Sequence, residues 1–102
     1  MDNIESRPDF KVANKLIRQL LQENSSELDE ESQEFARHYL DHDEYELAFE
    51  GLFLGLITHG TVKSSEKLNT YVALGKSLKL DKESMIDAHF WSKLLHFVQR
   101  VA

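Results

Sequence analysis

Apolar residues recur at three- and four-residue spacing along most of the chain, and the pattern separates into five amphipathic segments. The first carries Phe10, Ala13, Leu16, Ile17, Leu20 and Leu21 on one stripe, with Ser6 as a capping hydroxyl and Pro8 in the first turn. Asn24-Ser25-Ser26 breaks it, and Ser25 or Ser26 is placed to cap a second helix. That helix carries Glu27, Asp29 and Glu30 at its positive dipole end and buries Leu28, Phe35, Ala36, Tyr39 and Leu40. Asp41-His42-Asp43 interrupts the pattern, and Asp43 with Glu46 has the spacing of a capping box.

The third segment, residues 44–58, is apolar almost all round, which predicts a central helix contacted on several sides. Ala48, Gly51 and Gly55 lie near one of its faces and leave room for a neighbouring helix to approach closely. Gly60 is placed to end it in a left-handed cap. A fourth helix is expected over residues 65–78, with Leu68, Tyr71, Val72, Gly75 and Leu78 inward. A fifth is expected to start at Asp81 as cap, with Met85, Ile86, Phe90, Leu94, Phe97, Val98 and Val101 on its packed side. In the last helix, Trp91 falls beside the main stripe, as a rim residue closing the core or, where exposed, an anchor for an interface.

Short loops between these segments predict antiparallel neighbours. The expectation is an all-α protein, a compact bundle of four to five helices with a central, largely buried third helix, forming one domain over residues 1–102. One proline and four glycines supply too few turns for a β-sandwich or barrel. The longest apolar stretch, residues 51–57, falls far short of the ~20 residues of a spanning helix. The first residues have neither a basic nor an apolar leader pattern, so a cytoplasmic protein is expected.

Charge changes the picture more than composition does. The net charge is −6, but residues 22–62 hold eleven acids against one base, Arg37, while both flanks are mildly basic. A field of that sign repels nucleic acid and speeds encounter with a cationic surface. Direct nucleic-acid binding is therefore not expected, since Lys and Arg contacts to phosphate normally supply its affinity.

Little else in the chain points to chemistry. With no cysteine there is no thiolate metal site, disulfide or thiol nucleophile. No glycine-rich phosphate loop, GxSxG motif or recognisable Ser/His/Asp grouping is present. His38 and His42 stand four residues apart between carboxylates, a zinc-like spacing, but Tyr39 occupies the position of the expected Glu and the helix should break near Asp41. Carboxylate catalysis needs two acids in different environments within a cleft, whereas these read as exposed and uniform. The expectation is a binding protein, not an enzyme, with no catalytic residue, metal or cofactor.

The run His38-Tyr39-Leu40-Asp41-His42-Asp43-Glu44-Tyr45-Glu46-Leu47-Ala48-Phe49-Glu50-Gly51-Leu52 resembles the core of small helical immunity proteins encoded beside bacterial polymorphic toxins. These include Maf-type immunity proteins and some immunity proteins of contact-dependent growth inhibition systems. The flanks match only in helical pattern and length. The resemblance implies a cytosolic antidote that binds the toxin's C-terminal domain, often an RNase, in a one-to-one complex.

The residues themselves fit that reading. Nucleases that hold RNA present basic clefts, and a carboxylate row can occupy one through charge-assisted hydrogen bonds. The contact surface expected on this basis is Glu30, Glu31, Glu34, Asp41, Asp43, Glu44 and Glu46, with Glu50 set deeper in the central helix. The alternative is an acidic helical adaptor or regulator docking a basic cellular protein with no toxin involved.

Overall fold

The computed structural model describes residues 9–63 and 65–101. Among the described residues five α-helices follow one another: α1 (Phe10–Glu23), α2 (Glu30–Asp41), α3 (Tyr45–His59), α4 (Leu68–Ser77) and α5 (Phe90–Val101). Short 3-10 turns at Ser25–Glu27 and Ser65–Lys67 lead into α2 and α4. No strand occurs among the described residues, and none of their helices is long and apolar enough to cross a membrane. The protein is an all-α bundle.

The third helix is its centre, as its all-round apolar character requires. Ala48, Phe49, Leu52, Phe53 and Leu56 are fully buried, and α3 packs against α1, α2 and α5. Its most extensive contact is with α2. There the small residues act as expected: a methyl group on Gly51 would collide with the Phe35 ring, and one on Gly55 would lie 2.9 Å from Ser32 Oγ. Gly75 does the same for α4, where the Trp91 and Phe49 rings close over its backbone. Trp91 is half-buried against the core, at its rim. Gly60 adopts φ +98° and returns its N–H to Leu56 O at 2.8 Å, the left-handed cap of α3.

Several helix ends differ from expectation. Ser6 and Pro8 lie outside the described residues, and Asp9 caps α1 by accepting the N–H groups of Lys11 and Val12. Phe10 is half exposed and stacks on Tyr45, so the buried stripe of α1 starts at Ala13. Ser25 and Ser26 do not cap α2; they form the 3-10 turn, and Asp29 accepts Ser32 N–H at 2.7 Å as the cap. The capping box at Asp43 and Glu46 is also absent. Asp43 sits at φ +58° in the tight turn between α2 and α3, with its carboxylate accepting the Tyr45 hydroxyl, and Glu44 takes the cap position with no side-chain bond.

The largest difference lies before α5. Residues 78–89 are turns and irregular chain, not the beginning of a helix capped by Asp81. Lys79 at φ +68° ends α4 in a Schellman motif: its N–H bonds to Lys76 O and the N–H of Leu80 to Gly75 O, with Leu80 buried beneath. Asp87 then opens α5, accepting His89 N–H on its side chain and Phe90 N–H on its main-chain oxygen. Met85 and Ile86 are 54 % and 47 % exposed instead of inward.

The cause is Glu50, fully buried on α3. Its Oε1 accepts Met85 N–H at 2.6 Å, and its Oε2 accepts Ile86 N–H at 3.0 Å and Asp87 N–H at 2.7 Å. A buried carboxylate without donors is costly. The three amide protons that would otherwise serve a helical turn are therefore held by the side chain.

Candidate functional site

The acidic residues expected to contact a partner divide into two groups at opposite ends of α2. Glu30, Glu31 and Glu34 lie on its first turns, all exposed, and none makes an ion pair among the described residues. Asp41, Asp43, Glu44 and Glu46 gather around the turn into α3, about 16 Å further along the helix axis at 1.5 Å per residue. Glu30, Glu34 and Asp41 do share one stripe, but Arg37 stands in the same stripe between them.

The second group is more committed than the first. Asp41 pairs with Arg18 of α1 at 3.0 Å, and Asp43 holds the Tyr45 hydroxyl at 2.9 Å. That bond, with burial, raises the Tyr45 hydroxyl above its ordinary pKa. Glu44 is exposed and Glu46 half-buried in the first turn of α3. Nearby, the His38 and His42 rings lie 4.4 Å apart, and His42 Nδ1 stands 2.8 Å from His38 O. A carbonyl can only accept, so that nitrogen is the donor of the bond. No group of three His, Asp or Glu among the described residues is placed to hold a metal ion.

Beside the first group the structure opens a groove of about 650 Å³ between the start of α2 and the end of α3. Phe35, Leu54 and Ile86 supply apolar lining, and Glu27, Asp29 and Glu31 supply carboxylates. Gly51 and Gly55, on which Phe35 and Ser32 pack closely, also line it from α3. Ile86 reaches it from the loop held by Glu50.

Two of the groove carboxylates are already hydrogen-bonded. Glu27 accepts from Thr61 at 2.6 Å and stands 3.1 Å from His59 Nε2 and 3.9 Å from Lys63 Nζ. The hydrogen bonds from Thr61 and then Ser26 hold it below the usual glutamate range. Asp29 is held below the aspartate range by the Ser32 N–H it caps. Glu31, exposed and unpaired among the described residues, is the one whose charge is unspent.

Of this groove, sequence reasoning anticipated only Glu31 as a contact residue. The pattern of the chain places Glu27 and Asp29 as helix-start acids and Ile86 on a core-facing stripe. Two signals pointed to it. One was the pair of small residues on α3, which had to face something. The other is Glu50, a carboxylate in the apolar middle of α3, which has to be answered by donors from elsewhere in the chain. No protein-family model, curated protein or solved structure matches the chain.

Proposed function

We propose that this protein is an immunity protein: it binds a cognate toxin domain, a basic nuclease, and neutralises it by covering its active-site or substrate surface. The observation that carries the reading is the outward face of α2, where Glu30, Glu31 and Glu34 stand exposed and unpaired among the described residues. Unpaired carboxylates keep their full charge for a partner's Arg and Lys. The helix already fixes their main chain, so only side-chain freedom is lost when those bonds form. The acidic balance of residues 22–62 steers a cationic partner towards this side of the chain. The resemblance of residues 38–52 to immunity proteins supplies the kind of partner, and a cytoplasmic site of action goes with it.

The test is growth rescue. The toxin domain encoded beside this gene is induced with and without the protein, and the pair is then purified together. Restored growth and a one-to-one complex are expected. Replacing Glu30, Glu31 and Glu34 together by Lys should weaken the complex at least tenfold with helical content unchanged, since each contact to a cation contributes about 0.2–1 kcal/mol before the added repulsion. Absence of both rescue and complex would remove the antidote reading, and undiminished affinity in the triple variant would remove its electrostatic basis.

A further inference from the structure

The groove beside Glu31 has a combination of features that the exposed α2 face lacks, an apolar wall of Phe35, Leu54 and Ile86 under a carboxylate rim. We infer that it takes an arginine flanked by large aliphatic residues, presented by a segment of the protein partner. This rests on the partner being a basic protein, as proposed above, and names the residue type that anchors it.

The chemistry selects the occupant. An arginine stem is apolar for three carbons and lies comfortably along Phe35 and Leu54, while its guanidinium reaches a carboxylate at the rim. Its planar fork matches the two oxygens of Glu31, which a lysine point charge does not. An anionic ligand would meet Glu27, Asp29 and Glu31 together. A second copy of this chain would bring its own acidic middle against them.

The aliphatic neighbours of the arginine have a place as well. Met85 and Ile86 present about half of their surface to solvent although the backbone beneath them is fixed by three N–H bonds to buried Glu50. With the backbone of the loop already fixed, docking of these large apolar side chains costs their rotamer freedom but no ordering of the loop. Ile86 lines the groove, so the apolar ledge and the acidic rim are continuous.

The test uses the full chain, ¹⁵N-labelled, titrated with an acetylated and amidated hexapeptide of alternating leucine and arginine. Amide shifts should concentrate at Ser32, Phe35, Gly51, Gly55 and Ile86. Peptides with serine for leucine or glutamate for arginine should not produce them. Glu31→Gln and Ile86→Ser should each weaken binding about two- to fivefold, the range for a half-exposed ion pair or a partly buried aliphatic contact. Both positions are exposed, so circular dichroism should remain that of the parent.

Shifts spread evenly along α2 and retained by the serine peptide would overturn the assignment in favour of diffuse charge attraction. Groove shifts that grow with protein concentration without peptide would overturn it in favour of a second copy. If growth rescue succeeds while the peptide leaves the groove unmoved, the groove assignment falls and the antidote reading stands. If the peptide seats in the groove while no toxin is neutralised, the reverse holds.

Discussion

Lys79 occupies a conformation that an L-residue enters at a cost. At φ +68° its Cβ crowds the following carbonyl, a strain of about 1–2 kcal/mol that glycine escapes. The position is retained because the turn satisfies two main-chain carbonyls at the end of α4 and tucks Leu80 into the core. Lys79→Gly should therefore stabilise the protein by about 0.5–1 kcal/mol, part of the relief being offset by the greater freedom of glycine in the unfolded chain. Chemical denaturation measures this directly, and a destabilised variant would mean that the lysine side chain contributes something its geometry does not show. Gly60 illustrates the opposite case at the end of α3, where the residue best suited to positive φ is already in place.

At the scale of elements, the central contact is between α3 and the irregular loop before α5. Glu50→Gln keeps the shape of the side chain but turns one acceptor oxygen into an amide group facing a main-chain N–H. The expected loss is about 2–4 kcal/mol, from hydrogen bonds to a charged group and a donor left unsatisfied. A thermal midpoint within a degree or two of the parent would show that the loop holds itself in place without the carboxylate.

This element is also where the sequence was least legible. The helices α1 to α4 were readable within a few residues because local periodicity and glycine placement determine them. The spacing of Met85, Ile86, Phe90 and Leu94 is equally helical, yet α5 starts only at Phe90. A bond between residues 35 to 37 positions apart took the amide protons the helix would have used. Local pattern carries no record of such a competitor. The helix caps were no more legible: Ser25, Ser26 and Asp29 are all suitable residues before α2, where Asp29 is the one that accepts the Ser32 N–H, while Asp43 and Asp81 are suitable residues that cap neither α3 nor α5.

For the molecule as a whole, three carboxylates on separate elements are held below their ordinary range. Thr61 acts chiefly on Glu27, the Ser32 N–H on Asp29, and the Lys93 ammonium with the His89 N–H on Asp87. Between the native and ordinary values the unfolded chain binds more protons than the folded one, so their stabilisation is present above the ordinary range and is lost as pH falls through the native values. The thermal midpoint should stay level down to about pH 5 and fall towards about pH 3. Thr61→Val, which removes the principal bond to Glu27, should make that fall shallower. A midpoint level to pH 3 would refute the account.

The acidic side of the molecule was legible from charge counting alone, but its division into two groups was not. It depends on the length of α2 and on Arg18 and Tyr45 engaging the acids at the far end. The groove was hidden more deeply, since its walls come from three stretches of chain that only tertiary packing brings together.

The tie between Glu50 and the loop uses main-chain N–H groups and no side chain of the loop itself. Residues 85 and 86 can thus change identity without loosening the frame that carries them. On the function proposed above, this separates what is recognised from what is folded. Substitutions at Met85 and Ile86 are expected to change the surface the loop presents while α3 and α5 keep the same architecture beneath them.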